Sequence, residues 1–134
     1  DRIYGCDDCL DACPPGVHLE ATAPIVPRLD LLALLGLTDE ALLERFDHFY
    51  VPRRRAGFLR RNILVALGNS GDGRAVAPVA AYLRHEDPML RAHAAWALGA
   101  IGGSDAAAAL AAVARLESDE AVLAEIVEAR RNLA

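Results

Sequence analysis

The chain has 134 residues, the length of one domain, and its balance of 54% hydrophobic and 25% charged residues excludes a disordered tail. Its net charge is −5 and all 14 of its basic residues are Arg, so any affinity for an anion must come from a local patch. No apolar run approaches the roughly 20 residues of a membrane span, and no basic segment leading into an apolar stretch marks a signal peptide.

The chain opens on Asp1 rather than Met, which reads as part of a longer protein. Residues 1–28 form a loop-rich cysteine segment, because Gly5, Pro14, Pro15, Gly16, Pro24 and Pro27 interrupt any long regular element. From residue 29 to 134 the pattern is helical. With 27 Ala and 20 Leu and few aromatic or β-branched residues, the composition points the same way, to an all-α fold. Asp30 caps a short helix over Leu31–Leu35 that stops at Gly36. Thr38 caps a second, with Asp39 and Glu40 in the first turn, where acids suit the helix dipole, and Leu42, Leu43 and Phe46 on one face. Residues 47–52 connect.

The remainder is a repeat. Residues 59–68 (LRRNILVALG) align with residues 90–99 (LRAHAAWALG) at an offset of 31, and Gly71 coincides with Gly102. A second helical stretch follows each copy, over residues 75–84 and 105–116. A weaker third copy starts at Ser118, with Val122, Ile126 and Ala129 in equivalent places. Gly68 and Gly99 are expected at matching helix ends, with Asp72, Asp87 and Ser118 as caps and Pro88 at a first helical position, where no hydrogen bond is lost. Helix pairs recurring at this spacing predict a HEAT-like α-solenoid, a right-handed stack whose Ala-rich faces let helices approach closely.

All three cysteines fall within eight residues, in the pattern C-x2-C-x3-C-P formed by Cys6, Cys9, Cys13 and Pro14. Clustered thiolates suit a metal centre. Tetrahedral zinc would need a fourth ligand, and neither a second C-x2-C nor a nearby His pair is present; His18 stands alone. The x3-C-P ending matches the tail of the ferredoxin run, whose last Cys ligates a second cluster. Cys6 and Cys9 are therefore expected at one [4Fe–4S] cluster and Cys13 at another, three of eight ligands, with zinc and redox thiols as the alternatives.

The segment IYGCDDC at residues 3–9, with Cys13-Pro14, resembles the second cluster motif of the epoxyqueuosine reductases. Residues 59–72 and the HAAWALG stretch at 93–99 resemble the HEAT-like tail of the same family, in the same order. The resemblance implies a cytoplasmic, monomeric enzyme that reduces epoxyqueuosine to queuosine at the wobble position of tRNA. It also implies two [4Fe–4S] clusters, a cobalamin bound upstream of this chain, an external electron donor, and a helical tail that helps hold the tRNA. Pro15-Gly16 departs from the aromatic residue and Asn common in the family after Cys-Pro.

Five arginines, Arg53, Arg54, Arg55, Arg60 and Arg61, occupy nine residues with no acid among them. Guanidinium forks bind phosphate bidentately, so this stretch is the candidate RNA contact; on one continuous helix Arg53, Arg60 and Arg61 would share a face. A solvated repeat surface is the plainer alternative, and Arg60, which recurs as Arg91, is partly architectural in that reading. Trp96 is expected in the core, His93 in a surface or inter-helix hydrogen bond, and Asn69–Gly73 as a turn rather than a binding loop. No catalytic residue is assigned, and the chain alone is expected to be inactive. Two other functions remain open: a non-enzymatic scaffold with a structural metal, and an electron-transfer module of another reductase.

Overall fold

The computed structural model describes residues 29–133 of the chain; Cys6, Cys9, Cys13 and His18 lie outside the described residues. Seven α-helices are present among those residues, with short 3₁₀ turns between them and no strand.

Two short helices come first. Helix α1 (Leu31–Leu35) starts at Asp30, whose carboxylate accepts the N–H groups of Leu32 and Ala33, and ends at Gly36. Helix α2 (Asp39–Arg45) starts at Thr38, whose hydroxyl accepts from Ala41 N–H. The solenoid follows as α3 (Gly57–Ser70), α4 (Val76–Ala81), α5 (Pro88–Ile101), α6 (Ser104–Val113) and α7 (Glu120–Arg131). Helix α4 is lengthened by 3₁₀ turns at Gly73–Ala75 and Tyr82–Arg84. Asp72 and Asp87 cap as expected, accepting from Arg74 N–H and Met89 N–H. The third cap differs: Asp119 takes the role expected of Ser118, accepting from Ala121 and Val122 N–H. A carboxylate serves two backbone donors at once, and Ser118 is left in the loop before it.

The long helices α3, α5 and α7 lie side by side in one layer, with α4 and α6 in a second and α1 packed on α3. Between them sits one continuous core, with Leu59, Ile63 and Leu64 of α3, Leu90 and Leu98 of α5, and Val122 and Ile126 of α7 almost wholly buried. Leu110 and Val79 close it from the second layer. Emptying any of these large sites would cost about 2–5 kcal/mol, which is how a repeat whose fully buried side chains are aliphatic holds together.

Gly68 and Gly99 do not end helices. A Cβ on Gly68 would stand 2.7 Å from Trp96 Cζ3 and 3.0 Å from Ala97 Cα; one on Gly99 would stand 2.8 Å from both Cα and Cβ of Ala129. Each glycine is therefore the point where one long helix presses on the next, and helix α3 runs past it to Ser70, helix α5 to Ile101. The stops come at Gly71 and Gly102, both at positive φ (64° and 83°), a backbone open to glycine at little cost. Trp96 is half-buried, its ring edge laid over Gly68. His93 Nδ1 lies 2.7 Å from the Met89 carbonyl oxygen of its own helix.

Candidate nucleic-acid interface

Chain geometry separates the five candidate arginines. Buried Val51 leads into the 3₁₀ turn Pro52–Arg54, and buried Ala56 leads out into α3. Backbone bonds from Arg54 N–H to Val51 O (2.9 Å) and from Arg55 N–H to Pro52 O (3.1 Å) close the turn. Within it Arg53 and Arg54 both adopt left-handed backbone, at φ 52° and 49°. That conformation costs a non-glycine residue about 1 kcal/mol or more. Both side chains are exposed, and among the described residues no hydrogen bond or ion pair holds either one. Arg53 therefore does not share a helical face with Arg60 and Arg61, because the turn precedes α3.

Arg55 and Arg61 flank the Phe58 ring, their guanidinium carbons 5.5 and 5.8 Å from its centroid. Arg55 also reaches Asp87 at 3.4 Å from a position still 57% exposed, a weak surface pair that a competing anion can displace. Arg61 donates through Nε and Nη2 to Asn62 Oδ1 (3.0 and 2.7 Å) and is half-buried.

Arg60 leaves the candidate set. Its side chain turns inward, and its guanidinium donates to Asp39 Oδ1 (Nε 2.8 Å, Nη2 2.7 Å), the carbonyls of Leu35 (3.1 Å) and Leu37 (2.7 Å), and the Tyr82 hydroxyl (2.6 Å). All five N–H donors of the fork are engaged, so none remains for a phosphate. The repeat partner Arg91 behaves alike. It grips the Glu117 carboxylate with two bonds (2.7 and 3.0 Å) and donates to the carbonyls of His85 and Glu86. These two arginines tie the loops between helix pairs to the helices that follow them. Arg91, with backbone N–H groups of Asp119 and Ser118, holds the Glu117 carboxyl down at about 2. The roles of Glu117, Asp39 and Tyr82 are invisible in the sequence, since each lies more than twenty residues from its arginine and carries no local signal.

Two shallow grooves flank the segment before the turn. One, of about 250 Å³, is lined by Leu43, Phe46, Phe49, Tyr50, Arg53 and Arg54. The other, of about 260 Å³, lies between Tyr50, Pro52, Phe58, Arg61 and Asn62. Among the described residues, neither is lined by an acid. The rings of Phe46 and Phe49, which line the first groove, stack at 5.7 Å, and Tyr50, 78% exposed, lines both grooves together with Val51. No His, Cys, Asp and Glu cluster among the described residues is arranged to hold a metal, and no helix there is long and apolar enough to cross a membrane.

A family model of HEAT repeats matches residues 58–131. A Geobacillus stearothermophilus protein, described as an uncharacterized protein in the gldA 3′ region, is 34% identical over 137 residues, covering 96% of this chain and 63% of that protein. The epoxyqueuosine reductase of Bacillus subtilis (strain 168) is 33% identical over 135 residues, covering 94% of this chain and 35% of the reductase. A crystal structure of epoxyqueuosine reductase with a tRNA-Tyr epoxyqueuosine-modified stem loop matches with a TM-score of 0.81 at 28% identity, over 98% of this chain and 37% of that one. The chain thus spans about a third of the length of the reductases it matches.

Proposed function

Because the chain belongs to the HEAT-repeat family and is homologous to the C-terminal portion of epoxyqueuosine reductases, we propose that it is the RNA-holding end of such a reductase. The supporting observation is the exposed, strained Arg53–Arg54 turn, beside Arg55 and Arg61, on the first repeat of a chain whose relative was solved with a tRNA stem loop. In this reading the repeat core fixes the position of the turn, and its guanidinium groups take phosphate oxygens of the anticodon arm.

The cysteine segment fits the same function through its donor set. Cys6, Cys9 and Cys13 are soft thiolate ligands in the C-x2-C-x3-C-P order. Cys6 and Cys9 would hold one [4Fe–4S] cluster and Cys13 a second, and bound clusters supply single-electron transfer. Reducing the epoxide to the alkene takes two electrons and two protons and releases water. Cobalamin would carry that chemistry in the complete enzyme, and no residue of this chain is assigned to it. A cytoplasmic location and an external electron donor belong to the same proposal.

The test is the affinity of the full-length protein for tRNA as a function of salt, for wild type and for Arg53→Gln/Arg54→Gln/Arg55→Gln. Removing one phosphate contact should reduce the salt slope by about 0.7–0.9 and weaken binding uniformly across RNA sequences. An unchanged slope in the folded triple variant would leave the patch a solvated surface.

A further inference from the structure

We propose that Arg53, Arg84 and Arg115 are three rungs of one phosphate-binding ladder, which follows the backbone of an RNA stem along the edge of the solenoid from the first repeat to the third. The proposal rests on the RNA-binding reading above and deepens it: the contact extends well past the Arg53–Arg55 turn, and it is made to phosphates, not to bases.

The three arginines stand 31 residues apart, at the period of the repeat. That register is structural. Leu59 and Leu90 fix it between the first two rungs, and Ala75 with Ala106 and Val79 with Leu110 fix it between the last two, each of the six almost wholly buried. Each rung lies in the turn that leads into a long helix, α3, α5 or α7, and those helices lie side by side. Neighbouring helix axes are roughly 8–10 Å apart, so the three turns span about 16–20 Å, the reach of several nucleotides of one strand. Two contacts join the turns in series. Arg55 of the first reaches Asp87 of the second at 3.4 Å. Arg91 donates to the His85 and Glu86 carbonyls of the second turn (2.9 and 3.0 Å) and to the Glu117 carboxylate of the third (2.7 and 3.0 Å). A single, largely buried guanidinium thus holds the backbones that carry Arg84 and Arg115 at a set separation. All three rung side chains are exposed, and among the described residues none of them makes a hydrogen bond or ion pair. Arg60 and Arg91, the other arginines that recur at this offset, are instead committed inside the fold. Of the acids in the second and third turns, Asp87 and Asp119 cap helices and Glu117 is held by Arg91, so Glu86 alone stands uncommitted against the rungs. A groove of about 310 Å³ between the second and third turns, lined by Arg84, His85, Leu116 and Ser118, leaves room for a strand between the rungs. Unpaired guanidinium groups at a fixed interval complement a ligand that is itself a periodic row of anions, and they read no base.

The experiment measures binding of the full-length protein to a tRNA anticodon stem-loop as a function of salt, and to a second stem-loop whose stem base pairs are exchanged. Arg84→Gln/Arg115→Gln should reduce the salt slope by about 1.4–1.8, two phosphate contacts, and equally on both probes. The affinity lost between 50 and 200 mM salt should then be about 7- to 12-fold smaller than for wild type. The control is Arg130→Gln/Arg131→Gln, which removes the same charge from the far end of α7, about 17 Å along the helix and beyond the screening length at physiological salt. It should leave the slope unchanged. Circular dichroism confirms that each variant is folded, as exposed Arg→Gln changes allow. If Arg84→Gln/Arg115→Gln keeps the wild-type slope while Arg53→Gln/Arg54→Gln/Arg55→Gln lowers it, the ladder is overturned and the RNA-binding reading stands, confined to the first repeat. An equal drop in the control, or a loss that depends on stem sequence, also overturns the ladder. If wild type binds neither probe in a salt-dependent way, the RNA-binding reading itself falls.

Discussion

Replacing Glu117 by Gln removes one charge from the joint between the second helix pair and α7 while keeping its shape. In the native chain its carboxylate accepts two bonds from Arg91 and two more, each 2.9 Å, from the N–H groups of Ser118 and Asp119. The two side chains are 17% (Arg91) and 7% (Glu117) exposed, so water screens the pair little. The Glu117 carboxyl is lowered from 4.5 to about 2, first by the Arg91 hydrogen bonds and then by the backbone donors. A difference of that size between folded and unfolded chain corresponds to about 3 kcal/mol at neutral pH. The folded value is the lower one. The contribution is therefore complete above about pH 5 and disappears as pH falls through 4.5 toward 2, with more than half gone by about pH 3. For a domain whose total stability is about 5–15 kcal/mol, this is a large share. Urea denaturation of wild type and Glu117→Gln at pH 7 and near pH 3 measures it. The variant should be about 2–3 kcal/mol less stable at pH 7, and the gap should shrink by more than half at the lower pH. A gap that stays constant with pH, or one under about 0.5 kcal/mol at pH 7, would refute the assignment of the low carboxyl to this pair.

Gly99→Ala should destabilise by about 1–3 kcal/mol, seen as a lower thermal midpoint, because the new methyl meets Ala129 backbone at 2.8 Å and the gain in helix propensity is smaller than the overpacking. Arg60→Ala should cost about 3 kcal/mol or more in chemical denaturation, by leaving the Leu37 carbonyl and Asp39 without their donor and the Leu35 carbonyl with the Tyr82 hydroxyl alone. In the fraction that remains folded, Arg60→Ala should leave the salt slope of RNA binding unchanged, in contrast to the Arg53–Arg55 variant.

The helices were legible in sequence because their signals are local. Asp30, Thr38, Asp72 and Asp87 announce helix starts within a turn of themselves, and the 31-residue offset pairs the two clearest copies. What misled was the double meaning of glycine. Gly68 and Gly71 stand three residues apart, as do Gly99 and Gly102, and one of each pair stops a helix while the other admits a neighbouring helix. Only the position of that neighbour tells them apart. The arginine cluster was found by its charge density, yet sequence could not tell which guanidinium faces inward. Arg60 is drawn in by Asp39, by carbonyls at the end of α1 and just beyond it, and by Tyr82, all of them more than twenty residues away. The left-handed turn at Arg53–Arg54 carried no sequence signal, since neither residue is the glycine or asparagine that such a backbone favours.

The repeat itself separates building from binding. Positions that the first two copies share turn inward or press on a neighbour: Leu59 and Leu90 fill the core, Arg60 and Arg91 lace loops to helices, and Gly68 and Gly99 seat the next helix. Positions that differ at the start of the copies stay on the surface of the first. Tyr50, Arg54, Arg55 and Arg61 correspond to Ala81, His85, Glu86 and Ala92, a change from aromatic and cationic to small, neutral or acidic. The first copy carries two left-handed arginines, a backbone that costs free energy and adds nothing to the core. A cost borne at one repeat and absent from the next is what a binding function located at that repeat would produce. In the proposed function, the Arg54, Arg55 and Arg61 charges that would meet RNA on an otherwise acidic chain lie where the first copy departs from the second, whereas Arg53 recurs as Arg84.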